Sequence, residues 1–473
     1  MENKKLCDLG YESVNIYFSA ICNLRCKYCF QPKIADINKD TNKKIIDWIS
    51  SGRLENDILD LFGENITNIS LWGGEPSINI PYLTERIPEF YKKFPRLKSI
   101  SFSTNISRKN LCNNIINLLN KVSEENIISN RCVSADIQFS IDGPPEINDF
   151  NRVGAKADTI INNITYFCKK IKDIDPRYYF LNIKATSSKE SLRWMMTDNN
   201  LEYYYNFFIT QQKKWESIIG NKAPYGGTNI SLVYPGNFTK EDGILFYNLC
   251  KKQNSKEFKE KFKDSNVDFD NQISTRIKHC MSIIRAGYYR PYKGEMISVC
   301  SCCAGKSSLG LTENGNIHLC QATYMFDEDI IKYIEDNNII SDFEATQGFS
   351  FRNFKNVIQN NIVVSKNDKI RLYRLLDKMK TFNSDIPTKI QYFEIMLSQL
   401  AASGQIDEKY LNSEYRDLAI AYLLFGGHEC PADNTWEFGS PYIRSLSQIK
   451  LVLNGAFEYY LDNFYKDILN LKV

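Results

Sequence analysis

Three cysteines stand close together near the start of the 473-residue chain, at Cys22, Cys26 and Cys29 in the stretch "AICNLRCKYCF". Thiolates are ligands for zinc and for iron–sulfur clusters, so their spacing has to decide between the two. Zinc sites usually pair C-x2-C units and complete a shell of four ligands. Here the spacing is C-x3-C-x2-C, and no fourth cysteine or histidine is near. Three thiolates on a 4Fe–4S cluster would leave one iron open to a substrate or cofactor.

A second group of cysteines lies further along the chain and includes Cys302 and Cys320 in "CCAGKSSLGLTENGNIHLC". The stretch between them predicts a β-hairpin with its turn at "ENGN", which would bring these two thiols together. A fully protein-bound cluster needs more ligands, and Cys300, Cys280 and Cys430 are the candidates. The sequence does not rank these three.

Composition excludes several classes of protein. The chain has 59 basic and 56 acidic residues, a net charge of +3, which argues against the concentrated basic face of a nucleic-acid-binding protein. No apolar run reaches the roughly 18 residues of a membrane span, so we expect no membrane association. The N-terminal stretch lacks the apolar core of a secretion signal, and we expect a cytosolic location. Fourteen cysteines in a reducing compartment indicate metal binding or redox chemistry rather than disulfides.

The elements that position these residues alternate between strand and helix patterns. Six short β-branched and aromatic runs predict strands, and the segments between them have helical periodicity. The predicted strands are 14–20, 66–72, 99–105, 136–143, 178–187 and 229–235. This alternation indicates βαβ units and a parallel sheet, in a barrel or partial barrel whose chemistry lies at the C-terminal ends of the strands.

The residues of chemical interest fall at those strand ends. The cysteine triplet follows the first strand and "GGEP" (73–76) follows the second. "STN" (103–105) closes the third strand and "SIDG" (140–143) closes the fourth. Because parallel strands end at one edge of the sheet, we expect these four segments to lie close together.

The cysteine spacing, with the aromatic Tyr28 before the last cysteine, resembles the signature of the radical S-adenosylmethionine (SAM) enzymes. "GGEP" extends the resemblance, because that family has a glycine-rich turn against the methionine end of SAM. By this resemblance Gly73, Gly74, Glu75 and Pro76 bind SAM, and the three cysteines hold a 4Fe–4S cluster. Two glycines allow close backbone approach, and a carboxylate suits an ammonium group. The implied fold is a partial (β/α)6 TIM-like barrel.

The fourth segment, "SIDGPPEINDFNRV" (140–153), is similar to the "S-x-D-G-P…H-D…R" stretch of peptide- and protein-modifying radical SAM enzymes, which include anaerobic sulfatase maturases. This chain has Asn148 where that family usually has histidine. The resemblance makes Ser140, Asp142 and Arg152 candidates for binding the carboxylate or ribose of SAM. An arginine suits a carboxylate because its donors reach both oxygens. The third-strand residues Ser103 and Asn105 are further candidates, although asparagine at a strand end is often a turn former.

The spacing from Cys302 through Gly315 to Cys320 is similar to the C-x9–15-G-x4-C opening of SPASM and twitch extensions, which hold an auxiliary 4Fe–4S cluster. The rest of the SPASM cysteine pattern is missing, so we expect one auxiliary cluster in a twitch-like or degenerate SPASM region. The expected organisation is a radical SAM core at 10–240, the auxiliary iron–sulfur region at 276–330, and a mostly helical C-terminal extension at 331–473.

The resemblance implies that SAM is cleaved reductively to a 5′-deoxyadenosyl radical, which abstracts hydrogen from the substrate. The expected substrate is a peptide or protein side chain, in the maturation of a ribosomally made peptide by a crosslink, thioether or related oxidation. The expected electron donor is a protein such as flavodoxin or ferredoxin. From the short segment before Cys22 we expect no separate N-terminal peptide-binding domain.

Three other functions stay open at this point. Formylglycine formation on a sulfatase-like protein and radical chemistry on a small molecule use the same cofactors. A non-enzymatic metal-binding scaffold would explain the cysteines, but it gives no reason for "GGEP" and "SIDG" at strand ends.

Overall fold

The computed structural model of the chain describes most of the N-terminal half and parts of the remainder. The described residues are 5–29, 35–232, 238–263, 307–319, 324, 328–341, 344, 351–352, 355, 363–384, 386–421, 423 and 446–469.

Within the described residues, nine strands form one sheet. They are β1 (Ser13–Ser19), β2 (Asn68–Gly73), β3 (Ser99–Thr104), β4 (Ser134–Ser140), β5 (Tyr179–Ser187), β6 (Tyr225–Leu232), β7 (Ser308–Leu311), β8 (Asn316–His318) and β9 (Val363–Ser365).

Helices follow most of the first six strands and make up most of the described C-terminal residues. They are α1 (Ala35–Ser50), α2 (Arg53–Phe62), α3 (Ile80–Lys93), α4 (Lys109–Ser129), α5 (Pro145–Asn151), α6 (Ala157–Ile171), α7 (Lys189–Met195), α8 (Asn200–Ile219), α9 (Lys240–Gln253), α10 (Lys256–Lys261), α11 (Glu328–Asp336), α12 (Lys369–Ser384), α13 (Ile386–Ala402), α14 (Ser413–Ala421), α15 (Leu446–Leu453) and α16 (Ala456–Leu469).

The strand order is β6-β5-β4-β3-β2-β1-β7-β8-β9, so the first six strands lie side by side in chain order. Each pair from β1 to β5 is parallel. The sheet is open, with β6 and β9 at its two ends. This confirms the predicted partial (β/α)6 arrangement, and the six strands lie within a few residues of the predicted runs. The four predicted segments therefore meet at one edge of the sheet.

The hairpin predicted between the later cysteines is also confirmed. β7 pairs with β8 in antiparallel fashion, Gly310 opposite His318. Gly315 has φ +78 in the connecting turn, and its N–H donates to the Thr312 carbonyl at 2.9 Å. β7 pairs with β1 in parallel, so the hairpin extends the sheet formed by the first six strands.

Alternation along the strands gives the sheet two different faces. In β4 the buried positions are Ala135, Ile137 and Phe139, and Phe139 meets Phe167 of α6 edge to face at 5.3 Å. The apolar face is therefore covered by helices, as a parallel sheet requires. The intervening positions are polar and half-buried, and Ser103 Oγ donates to Gln138 Oε1 across the strands at 2.9 Å.

The chain divides into two compact units. The first comprises Met1–Ala185, Asn206–Gly227 and Cys303–Leu376, and it contains all of β1–β4 and β7–β9. The second comprises Thr186–Tyr205, Thr228–Cys302 and Asp377–Val473. Apart from the ends of β5 and β6, the second unit is mostly helical where it is described. In it, α9 packs on α15 and α16, and Tyr247 of α9 donates to Asp462 at 2.9 Å. None of the described helices is long and apolar enough to cross a membrane.

Candidate functional site: an iron–sulfur centre at the strand ends

The cysteine triplet lies on the loop that leaves β1. Residues of the loop alternate in direction, because Leu24, Cys26 and Tyr28 line a cavity while Arg25 and Lys27 are exposed. Two backbone hydrogen bonds hold the loop before it turns at Lys27 and Tyr28, where the Cys29 N–H donates to the Cys26 carbonyl at 3.2 Å. Arg25 N–H donates to the Val153 carbonyl and Lys27 N–H donates to the Asn151 carbonyl, each at 2.9 Å. The loop therefore turns its ligand side chains inward and its cationic side chains outward.

The glycine turn after β2 packs directly on this loop. Gly74 N–H donates to the Ser19 carbonyl at 2.6 Å, and Glu75 N–H donates to the Ile21 carbonyl at 2.8 Å. A Cβ on Gly73, which has φ +131, would lie 2.0 Å from the Ser19 oxygen. A Cβ on Gly74 would lie 2.3 Å from the Ile21 oxygen. Both positions therefore require glycine, and the reason is backbone contact with the segment that leads to Cys22.

Glu75 connects the glycine turn to the end of β3. It is 1% exposed, and its Oε2 accepts from the Asn105 N–H at 2.7 Å. Its Oε1 accepts from both the backbone N–H and the hydroxyl of Ser77. Burial raises the pKa of Glu75, while the hydrogen bonds from Ser77 and Asn105 oppose that shift. The carboxylate is therefore anchored by protein donors as well as available to the cavity that it lines.

Asn105 in turn braces the cysteine loop. Its side-chain amide donates to Asn23 Oδ1 at 3.0 Å, and the Asn23 amide donates to Ser107 Oγ at 2.7 Å. Ile106 adopts a left-handed backbone at φ 43, which is uncommon for a β-branched residue. These hydrogen bonds connect the segments that follow β1, β2 and β3, and apolar side chains could not form them.

Tyr28, Asp142 and Arg152 form a buried polar cluster at the end of β4. The Tyr28 hydroxyl donates to Asp142 Oδ2 at 2.7 Å, and Arg152 Nη2 donates to Asp142 Oδ1 at 2.9 Å. Arg152 is 6% exposed and Asp142 is 1% exposed. Burial and the Asp142 charge raise the pKa of Tyr28, although the Arg152 charge opposes them. Asn148, which stands where the related motif has histidine, accepts from the Asp142 N–H at 3.3 Å.

The residues predicted for the SAM site and for the cysteine triplet line one cavity of about 170 Å³, with one exception. Those that line it are Cys22, Cys26, Cys29, Tyr28, Gly73, Gly74, Glu75, Pro76, Ser103, Asn105, Ser140 and Arg152. The exception is Asp142, which lies behind the wall and holds Tyr28 and Arg152 in position.

Trp72 lines the cavity and was not predicted. Its indole N–H is buried and has no hydrogen-bond acceptor among the described residues. Its position immediately before "GGEP" was a usable signal. Asn23 was also missed. It lies between two of the cysteines in sequence and fixes their loop to Asn105.

The second group of cysteines lies outside the described residues. This applies to every predicted auxiliary ligand, namely Cys280, Cys300, Cys302, Cys320 and Cys430. The structure describes the hairpin of β7 and β8, but it does not describe the cysteines on either side of that hairpin.

Residues 10–153 match the family model of the 4Fe–4S single cluster domain. This segment is similar to an iron–sulfur domain. It contains the cysteine triplet, the glycine turn and the Arg152 cluster, so the match confirms the predicted 4Fe–4S cluster and agrees with the radical SAM resemblance that these motifs carry. No curated protein sequence matches the chain significantly.

Several solved structures are similar to this chain at low identity. Native anSMEcpe with bound AdoMet has 16% identity and a TM-score of 0.38, over 66% of this chain and 75% of that one. SuiB of Streptococcus suis bound to its precursor peptide SuiA has 16% identity and a TM-score of 0.38, over 66% of this chain and 60% of that one. SuiB bound to S-adenosylmethionine has 16% identity and a TM-score of 0.37. The chain spans about 60% of the length of the SuiB structures.

The residues present fit an iron–sulfur cluster. The described residues contain no group of three metal-ligating side chains placed for a single ion. A 4Fe–4S cluster does not require one, because each of its thiolates binds a different iron. Cys22 opens onto the cavity, yet burial by the surrounding protein and then the Glu75 charge raise the pKa of its thiol. A thiolate there needs a cationic partner, and iron supplies that charge.

The cavity also fits the polar groups of SAM. The Arg152 Nε and the Trp72 indole nitrogen are buried and have no hydrogen-bond partner among the described residues. Buried polar atoms of this kind normally have a partner, so each indicates a ligand or water. Together with Glu75, they offer an anionic group and two donors within one cavity that the cysteines also line.

Proposed function

We propose that this protein is a radical SAM enzyme that modifies a peptide or protein side chain. The single observation that carries the proposal is the convergence of four sequence segments on one cavity. The cysteine triplet, "GGEP", Asn105 and Ser140 lie at the ends of β1, β2, β3 and β4, and all of them line that cavity together with Arg152, which follows α5. A structural metal site would need only the cysteines.

When bound, the 4Fe–4S cluster and SAM would supply radical chemistry that removes a hydrogen atom from the substrate. The residues of this chain would bind and orient these groups and exclude water from them. Cys22, Cys26 and Cys29 would hold the cluster, and the glycine turn would admit the methionine end of SAM. The Glu75 carboxylate would bind the SAM ammonium, and the Arg152 guanidinium would bind its carboxylate.

The substrate class rests on the motif resemblance of "SIDGPPEINDFNRV" to peptide- and protein-modifying radical SAM enzymes. Incubation with a cognate precursor peptide, SAM and a reductant under anaerobic conditions tests it. A mass change of the peptide supports the proposal, whereas an unchanged peptide alongside a modified sulfatase-like protein favours formylglycine formation.

The proposed organisation keeps the core at 10–240, an auxiliary iron–sulfur region at 276–330 and the extension at 331–473. Cys302 and Cys320 are the first candidates for auxiliary ligands, with Cys300, Cys280 and Cys430 as the further ones. The proposed electron donor is a flavodoxin or ferredoxin, and the proposed location is the cytosol, whose reducing conditions suit a cysteine-rich iron–sulfur protein.

The decisive experiment is anaerobic iron–sulfur reconstitution, followed by iron counting and an assay for 5′-deoxyadenosine after addition of SAM and dithionite. The matched variant carries alanine at Cys22, Cys26 and Cys29. We expect about eight irons in the parent and about four in the variant, with SAM cleavage lost. About four irons in the parent would remove the auxiliary cluster from the proposal. An iron content in the parent that the triple variant does not lower would refute the catalytic site itself.

A further inference from the structure

An exposed apolar pair lies beside the cysteine loop. Phe150 is 41% exposed and Val153 is 45% exposed, at and just after the C-terminal end of α5. Neither of them lines the cavity. The ammonium of Lys27 lies 3.1 Å from the centre of the Phe150 ring, which places a cation directly against the apolar surface.

The backbone joins this surface to the proposed cluster ligands. The hydrogen bonds from Arg25 to Val153 and from Lys27 to Asn151 run on either side of Cys26. Because the loop alternates, the side chain of Cys26 lines the cavity while its two neighbours are exposed. A single segment of backbone therefore separates the outer surface from a cavity-lining thiol. We call the surface formed by Arg25, Lys27, Phe150 and Val153 the Lys27 face.

The charge on the Lys27 face is positive. Neither Arg25 nor Lys27 forms an ion pair within the part of the chain that the structure describes. The nearby Lys156 is paired with Asp149 at 3.1 Å, so this pair adds no net charge. An apolar centre with unpaired cations at its edge is the pattern of a small, transient interface that steers an acidic partner.

We propose that the Lys27 face is the docking site of a small acidic electron-transfer protein. The proposal rests on the proposed function, because that function requires an electron from outside the chain. One electron passes from the reduced donor protein to the cluster, the donor is oxidised by one electron, and no bond or proton is exchanged. Electron tunnelling decreases steeply with distance, so the donor has to bind where the ligand loop reaches the surface. A substrate peptide would instead need residues that line the cavity.

The test uses flavodoxin as the probe and the double variant Arg25→Glu/Lys27→Glu. Binding of oxidised flavodoxin to the reconstituted enzyme is measured by titration calorimetry at low and high salt. We expect the double variant to weaken binding at least tenfold at low salt, and we expect the difference to shrink in 0.5 M salt, where charges are screened. The matched control is Lys43→Glu, an exposed lysine on α1.

A second readout separates docking from chemistry. Formation of 5′-deoxyadenosine is compared with reduced flavodoxin and with dithionite, which is small and needs no docking site. The proposal expects the double variant to lose the flavodoxin-driven reaction and to keep the dithionite-driven reaction. Loss of both reactions with normal flavodoxin binding would overturn it, as would unchanged binding. The variant Phe150→Ser adds no charge and should also weaken binding. If the parent binds flavodoxin but cleaves no SAM with dithionite, the docking site stands and the proposed function fails.

Discussion

Breaking the buried ion pair between Arg152 and Asp142 should destabilise the protein and weaken SAM binding through separate causes. In Arg152→Met, the Asp142 carboxylate stays 1% exposed but loses the guanidinium 2.9 Å away. Removing one partner of a buried pair costs about 3–5 kcal/mol, because an uncompensated charge is left in the interior. We therefore expect a lower thermal midpoint in the protein without cofactors.

The double variant Arg152→Met/Asp142→Asn separates the two causes. It removes both charges, so much of the lost stability should return, and the two single effects should exceed the effect of the double variant. SAM binding should stay weak in the double variant, because no guanidinium remains for the SAM carboxylate. Thermal unfolding followed by circular dichroism measures the first quantity, and calorimetric titration with SAM measures the second.

An exposed ion pair provides the control. Arg177 and Asp175 are bonded at 2.6 Å, but the arginine side chain is 70% exposed. Arg177→Met should leave both the thermal midpoint and SAM binding unchanged, because solvent screens such a pair. If the Arg152 and Asp142 substitutions are instead additive within about 0.5 kcal/mol, the two residues are not coupled and the reasoning is wrong. If the double variant binds SAM like the parent, Arg152 has no role toward SAM.

Two further substitutions test the walls of the cavity. Gly74→Ala places a Cβ 2.3 Å from the Ile21 oxygen, so the turn must move away from the cysteine loop. We expect a large loss of bound iron, measured by iron counting, and of SAM affinity, measured by titration. A normal iron content would contradict the packing argument. Trp72→Phe removes the unpartnered indole N–H and keeps an aromatic ring. We expect it to weaken SAM binding about tenfold with unchanged iron content, since a net hydrogen bond contributes about 1–1.5 kcal/mol, and unchanged affinity would assign that donor to water instead.

The order of the strands and their ends could be predicted because both depend on local patterns. Six β-rich runs with helical segments between them allow few arrangements, and the short connections favour neighbouring strands in chain order. The sixth strand is the least accurate, predicted at 229–235 and observed as Tyr225–Leu232. "YGGTNISLVYP" gives weak alternation, because two glycines interrupt it and the apolar residues lie toward its end. The parallel pairing of β7 with β1 could not be predicted, since it joins residues about 295 positions apart.

The site shows the same division between local motif and distant contact. Motifs identified the residues that meet at the cavity, because they fall at strand ends and the fold brings strand ends together. They did not separate residues that line the cavity from residues that support the lining. Asp142 was predicted as a ligand-binding residue, but its two oxygens accept hydrogen bonds from Tyr28 and Arg152. Trp72 was overlooked because a tryptophan in a strand is usually a core residue, and only its unpartnered nitrogen marks it as different.

The hydrogen bonds of Glu75 show that the cavity depends on supporting residues as well as on the residues that line it. A buried carboxylate without hydrogen-bond donors would become protonated, because burial raises its pKa. Ser77 and the Asn105 N–H donate to it, and these donors favour the charged form that an ammonium group requires. The same Asn105 holds the cysteine loop through Asn23. Asn105 therefore contacts both parts of the proposed site, Glu75 through its backbone N–H and the cysteine loop through its side-chain amide. Asn105→Ala keeps the N–H and removes the amide, so it should lower the bound iron while the charge at Glu75 is kept, whereas a change at Trp72 should impair only SAM binding.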